Sequence, residues 1–359
     1  MLKIVLTLTL LSAIFALPNE GETIHKILDS FENRSVKDLF KVWHLLFKRS
    51  YTLDSQEAIS RFRIFKDNLK FIRDNNAQNN GLTLGLNQFS DLTNDEYRKL
   101  YLDNTIASKV EQMTRETEAE DIILGEWQPK QMSQVGNYTA FNHSKYFPPT
   151  RNQGSCGSCW AFSTVGAIEA QYALNNNITN NSLYLSPQQL VDCDAADNGC
   201  NGGWMDKSFN YVINSGVTLE RNYPYRAVAQ RCAQQNITRD VNVTAFKSCN
   251  PKSCGLNNTF YNLLRQGPLS VVIDAGTREF QMYRSGIMPT TTCRNVNHAI
   301  IAVGYGIHLV ANKPTPMWIV RNSWGSTWGQ KGDAFIAFTP NRVGGSCFVD
   351  QYGWLALLN

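Results

Sequence analysis

The stretch that decides the fold is "QGSCGSCW", residues 153–160, which sets Cys156 and Cys159 three positions apart. That spacing serves three chemistries: a redox disulfide, half of a zinc site, or one structural cysteine beside one nucleophile. Just past it, "WAFSTVGAIEAQYAL" reads as a mostly buried helix that starts near Cys159. A helix N-terminus lowers a thiol's pKa, so this position favours a thiolate.

The chain of 359 residues has nine cysteines, all between Cys156 and Cys347. Its first sixteen residues, "MLKIVLTLTLLSAIFA", put Lys3 ahead of an apolar run and end on Ala16, the layout of a cleaved secretory signal too short to span a bilayer. No later stretch has the length of a membrane helix. An oxidising compartment follows, where cysteines pair and the sequons, from Asn33 to Asn257, can carry glycans. An odd cysteine count then leaves one thiol to explain.

Composition divides the chain near residue 134. Residues 17–134 carry 16 Lys/Arg against 19 Asp/Glu, and residues 135–359 carry 17 against 11. Opposite net charges favour docking of the first part on the second. Basic runs are absent, which argues against nucleic acid.

Helical periodicity runs from Asp38 to Asn76, broken at "KRSYTLDS" into two helices. The second puts Glu57, Arg61, Phe65, Asn68, Ile72 and Asn76 on one stripe, with Glu57 and Arg61 able to pair at i, i+4. In "GLNQFSDLTNDEY", Gly85, Asn87, Phe89 and Asp91 alternate along an expected strand or extended segment. A helix is expected to start at Thr93. Residues 104–134 are polar and read as an exposed linker open to proteolysis. Farther on, "LSVVIDA", "HAIIAVGYG", "MWIVRNSWG" and "GDAFIAF" have strand length and strand composition, so the second half is β-rich. A nucleophilic cysteine needs a base. Of the five histidines, His298 opens a buried strand, while His308 is expected in a polar loop.

"QGSCGSCW", "NHAIIAVGYG" and "NSWGSTWG" together resemble the papain and cathepsin L type of cysteine peptidase. The upstream stripe and the Gly85 to Asp91 pattern resemble the two propeptide motifs of that family. The resemblance covers roughly residues 38–359. It implies an α+β fold of two domains, a helical left one and a β-barrel-like right one, behind a mainly helical propeptide. It divides the chain into a signal (1–16), an inhibitory propeptide (17–134) and a peptidase domain (135–359).

Position by position, the resemblance makes Cys159 the nucleophile, His298 its base and later acid, and Asn322 the group that orients the imidazole. Gln153 and the Cys159 N–H would hold the oxyanion, and Trp324 would shield the Asn322–His298 contact. It pairs Cys156 with Cys200, Cys193 with Cys232 and Cys293 with Cys347, leaving Cys249 and Cys254 for a small loop disulfide and Cys159 free. The redox reading would strand Cys200 and leave Gln153, His298 and Asn322 without a use, and a zinc site wants a second close pair with suitable spacing where an oxidising compartment favours disulfides.

"GCNGGWM" resembles the stretch lining the substrate groove, where Gly202 and Gly203 admit a peptide backbone. Trp204, Met205, Val272, Asn297, Ala299 and Tyr352 fall where the family builds its main pocket, so an apolar or aromatic residue two before the scissile bond is expected. Departures from the pattern are Ala140, Phe141, Met317 and Asp333. No inserted loop resembles that of the dipeptidase relatives, which favours endopeptidase action.

The reading is a cysteine endopeptidase zymogen of the secretory pathway, in a lysosome, digestive vacuole or outside the cell. It acts on proteins and peptides, carries its propeptide as intramolecular inhibitor, needs no cofactor or metal, and is expected to be a monomer. Acidification is expected to loosen the propeptide by protonating carboxylates such as Asp91. The alternative is a catalytically silent binding or inhibitory protein on the same fold.

Overall fold

Helices open the described chain where the sequence supplies start signals. α1 (Glu20–Ser30) carries Glu20 and Glu22 in its first turn, which suits the positive end of a helix. α2 (Val36–Leu46) and α3 (Gln56–Asn76) start at Ser35 and Ser55, whose hydroxyls accept the N–H groups of Asp38 and Ala58. The structure, a computed structural model, describes residues 20–115, 133–135, 138–233, 235, 237–254, 258–290, 293–338 and 347–359. The expected signal segment, most of the expected processing region and the sequons at Asn137, Asn236 and Asn257 lie outside those residues.

α2 and α3 bury their apolar faces on one another, with Phe65 5.2 Å from the Phe40 ring and 5.3 Å from Trp43. The polar members of the α3 stripe turn the chain. Asn76 exchanges two hydrogen bonds with Leu84 (2.8 and 3.0 Å), Asn68 donates to the carbonyls of Ser90 and Leu92, and Arg61 bonds both oxygens of Glu96 at 2.9 Å. The pieces they hold are β1 (Leu82–Leu84) and α4 (Asn94–Tyr101), whose N-terminus is a capping box of Thr93 and Glu96.

Two expectations give way here. The strand ends at Leu84, residues 85–87 follow without regular structure and residues 88–91 are a turn, because Asn87 Oδ1 accepts the Phe89 N–H (2.9 Å) and Ser90 Oγ the Asn87 N–H (2.9 Å). Side-chain acceptors of this kind compete with a ladder and win in short polar stretches. The linker, expected from residue 104, instead opens as a helix, α5 (Asn104–Arg115). Asp103 Oδ1 accepts the Thr105 N–H (2.7 Å) and hydroxyl (2.6 Å) at its start, and Ile106 is fully buried. Its apolar partners come from the second half of the chain, so local periodicity could not reveal it.

The principal remaining elements, besides short helical turns at Ser144–Tyr146, Gly199–Asn201 and Pro251–Cys254, are β2 (Ser133–Val135), β3 (Tyr138–Asn142), α6 (Cys159–Asn175), α7 (Pro187–Cys193), α8 (Met205–Ser215), β4 (Val243–Cys249), α9 (Thr259–Gln266), β5 (Leu269–Ile273), α10 (Arg278–Gln281), β6 (Tyr283–Met288), β7 (His298–Val310), β8 (Lys313–Arg321), β9 (Asp333–Ala337) and β10 (Gly353–Leu358). α6, the central helix of the helical half, is buried along nearly its whole length. The sheet order is β1-β6-β9-β8-β7-β5-β10-β4, with β3 also on β7 and β2 on β3. β7 runs on through His308, which pairs with Thr315 of β8 and is strand rather than loop. β1 extends the sheet by pairing antiparallel with β6, so the leading segment is hydrogen-bonded into the same fold.

Asn87 joins the two parts at one residue: its Nδ2 donates to Gln281 O (2.8 Å), and its carbonyl accepts Trp43 Nε1 (2.8 Å). Asn87→Ala strips buried partners from Phe89 N–H and Gln281 O and should cost about 2 kcal/mol. Urea unfolding of the intact chain measures this, and an unchanged midpoint would contradict it.

Candidate active site

Backbone pairing brings the candidate residues together. β7 and β8 pair with Ile301 opposite Arg321, which sets His298, the first residue of β7, near Asn322, just past the end of β8. His298 Nε2 lies 2.8 Å from Asn322 Oδ1. That contact puts the neutral imidazole's proton on Nε2 and leaves Nδ1, which is buried and makes no hydrogen bond, as its basic nitrogen. The Trp324 ring stacks on His298 at 4.7 Å.

Cys159 is the first residue of α6 and the free, buried cysteine. The others form Cys156–Cys200, Cys193–Cys232, Cys249–Cys254 and Cys293–Cys347. The Cys156–Cys200 bond, with Gly157 N–H on Cys200 O (2.9 Å), fixes the loop before Cys159 against the "GCNGG" stretch. The Ala299 N–H, one residue from His298, acts to lower the pKa of the Cys159 thiol. Gln153 is fully buried. Its Nε2 lies 3.0 Å from Cys156 O and 3.5 Å from Tyr101 O, and its Oε1 accepts the Ser323 hydroxyl at 2.5 Å.

The electrostatics run against a thiolate here. Burial, joined by the Asp103 carboxylate, pushes the Cys159 thiol up to about 12 despite amide N–H groups at the helix start. Burial also pushes His298 down to about 4, although Asn322 acts to raise it. Between those values both groups are neutral. The expectation of a thiolate at the helix N-terminus therefore fails in this covered state, because desolvation outweighs the helix terminus.

The leading segment is what covers it. Tyr101 O reaches Gln153, the Asp103 N–H donates to Asn297 O (2.8 Å), and Asp103 Oδ2 accepts the Gly203 N–H (3.0 Å). A Cβ at Gly202, where φ is 110°, would collide with the Asp103 carboxylate. Ile106 joins the buried cluster that contains Trp204, Met205, Val272, Ala299 and Tyr352. Val272 and Ala299 face each other in register, and Tyr352 stands edge-on to Trp204 at 5.8 Å. One pocket candidate lies elsewhere. Asn297 turns its side chain to Asp274 (2.8 Å) and the Ala275 N–H (2.8 Å), offering the groove its carbonyl, while Trp324 sits on His298, where a shield of the His298–Asn322 contact is expected.

A family model of the papain family cysteine protease matches residues 138–353. The chain belongs to the papain family of cysteine proteases. A second model, the cathepsin propeptide inhibitor domain, matches residues 40–97, so the segment over the site includes an inhibitory propeptide. Chymopapain of Carica papaya is 37% identical over 312 residues, covering 87% of this chain and 84% of that protein. Probable cysteine protease RD21B of Arabidopsis thaliana is 35% identical over 325 residues, 89% of this chain and 66% of that protein, so the chain spans about two thirds of that relative's length. Among solved structures, a recombinant stem bromelain precursor superposes with a TM-score of 0.74 at 28% identity, covering 90% of this chain and 99% of that one.

Sequence reasoning missed several residues at this site. Ser323 and Tyr225 hold Gln153, the first through Oε1 and the second through the backbone carbonyl (2.7 Å). Ser323 stood next to a candidate and could have been found; Tyr225 gave no signal. Asp103 was legible as a helix start before Thr105, had the helix been suspected.

Asp103→Ala removes the acceptor of the Gly203 N–H and frees the cover at its contact with the groove. Intact D103A precursor at neutral pH should alkylate at Cys159 about tenfold faster than the parent, the effect of one lost charge-assisted hydrogen bond. Mass spectrometry of the uncleaved chain reads the rate, and equal rates would overturn the assignment.

Proposed function

We propose that the chain is a cysteine endopeptidase made as a zymogen, with residues 1–16 a secretory signal, 17–134 the propeptide and 135–359 the peptidase. The observation that carries this is the 2.8 Å His298–Asn322 contact, which leaves a bare imidazole nitrogen one residue from Ala299, whose N–H acts on the free Cys159 thiol. Once the propeptide leaves, water returns, and the Cys159 proton moves to His298 Nδ1. The thiolate attacks the scissile carbonyl, and Gln153 Nε2 with the Cys159 N–H stabilises the oxyanion. As the C–N bond breaks, His298 returns the proton to the leaving amine, and water then releases the acyl group. Ile106 stands where an apolar substrate side chain would enter, which supports preference for such a residue two before the scissile bond. The signal-like first sixteen residues and the four disulfides support a place in the secretory pathway.

The test is to incubate the precursor with mild reductant in acid and follow a blocked Leu-Arg peptide beside Cys159→Ala. Cleavage that appears as the chain shortens, with an epoxide label on Cys159, is expected. A processed, disulfide-intact chain that neither cleaves nor labels would favour a silent binding protein.

Acid release does not run through Asp91. Burial raises its pKa despite Arg49 at 2.8 Å and Tyr51 at 2.9 Å, so the folded state holds the proton more tightly and acid does not destabilise the fold through this carboxyl. α1 has the opposite sign. It lies outside the 40–97 match and seats Gly21 against Ser326 O, with Arg284 of β6 bonding Asp29 through both nitrogens (2.8 and 2.7 Å) and Lys331 3.7 Å from Glu22. Burial, together with Arg284, pushes His25 down to about 4, while Asp29 and the Thr327 backbone oppose this. A histidine with a lowered docked pKa stabilises docking at neutral pH, and that stability is lost as pH falls from 6.5 toward 4. His25→Gln should therefore move the midpoint of processing to lower pH, read by gel across about pH 4 to 7. An unmoved midpoint would exclude His25 as the trigger.

A further inference from the structure

Asp333, one of the departures from the family pattern, stands beside the residue that orients the imidazole. It opens β9 opposite Arg321, the last residue of β8, and the two side chains meet across the ladder: Arg321 Nε donates to Asp333 Oδ1 (2.7 Å) and Nη2 to Oδ2 (3.2 Å). Both side chains are only 15% exposed, so this planar fork is withdrawn from most of the solvent that loosens a surface pair. The third guanidinium nitrogen, Nη1, donates to Pro148 O (3.0 Å), and the group lies 4.6 Å from the centre of the Phe147 ring. Arg321 is therefore held from two sides, by β9 and by the segment that leads to Gln153.

Asn322 is the next residue, and its amide needs that support. Its Oδ1 accepts His298 Nε2 and the Ser323 N–H, both at 2.8 Å, but its Nδ2 is buried and makes no hydrogen bond. With no partner on the nitrogen side, the aim of the amide depends on where the backbone sets it. Two contacts set that backbone. The Asn322 N–H donates to Gly332 O (2.9 Å), one residue before Asp333, and the Arg321–Asp333 fork ties the strand ends on which these two groups sit. An aromatic side chain at 333 could not accept both nitrogens of Arg321. We propose that the Arg321–Asp333 pair is a positioning device of the peptidase: it holds Asn322 so that Oδ1 stays on His298 Nε2 and Nδ1 stays the basic nitrogen. This rests on the peptidase reading above, in which neither residue takes part in the proton transfers.

The experiment is a double-mutant cycle on the processed enzyme, with kcat and KM measured on a blocked Leu-Arg peptide. Asp333→Asn keeps the size of the side chain but loses its charge and its second acceptor. It should lower kcat about tenfold and leave KM within about twofold. In an Asn322→Ala background the same change should alter kcat by less than about twofold, because the residue it acts through is gone. Arg321→Lys keeps the charge without the planar fork; it should repeat the pattern with a smaller loss, and it replaces D333N if that variant does not fold. Alkylation of Cys159 by iodoacetamide in mild acid reads the thiolate–imidazolium pair in the same proteins, including any too slow to turn over, and should slow in step with kcat. An unchanged kcat in D333N, or a loss of equal size with and without Asn322, overturns the positioning role. Parent enzyme that neither cleaves the peptide nor labels at Cys159 sinks the peptidase reading instead.

Discussion

The withdrawal of Cys159 and His298 from water governs both the silence of this protease and its potential activity. A thiol and an imidazole in contact with solvent can share a proton as an ion pair; the same two groups under a dry cover cannot, since each charged form loses its hydration. Tyr101, Asp103 and Ile106 provide that cover, and the Asp103 carboxylate adds a charge that further opposes a thiolate. Under the proposed function, inhibition is electrostatic as well as steric.

The cover is tied to the propeptide core through one aromatic stack. Phe89 of the turn after β1 meets Trp324 edge-on at 5.0 Å, and Trp324 lies flat on His298 at 4.7 Å. Phe280 and Trp328 close the other edges of that indole. The turn held by Asn87 thus packs, through Phe89, against the indole that covers His298. α1 reaches the same loop from its far side, with Gly21 against Ser326. Its His25 responds to acid with the sign that release requires, whereas Asp91 does not.

Much of this was legible in residues that do a local job. The Ser35, Ser55 and Thr93 caps, the α3 stripe and the strand runs around His298 and Asn322 carry their structure in their own neighbours. What stayed hidden depends on distant partners. Residues 104–115 read as linker because the apolar face of α5 is completed by Trp204 and Met205, about a hundred positions away. The Cys159 charge state was misjudged because the helix terminus is visible in sequence and the burial is not. Asn297 was assigned to the pocket by the family resemblance, but it lies just before β7 and its side chain serves Asp274.

The most direct test of the account is the ultraviolet thiolate absorbance of Cys159, measured by rapid pH jump on the intact precursor and on the processed enzyme, each against its Cys159→Ala counterpart. The account predicts no thiolate signal in the precursor below about pH 9 and a clear one in the processed enzyme in mild acid. The same thiolate signal in both forms would show that burial under the propeptide does not control the catalytic pair.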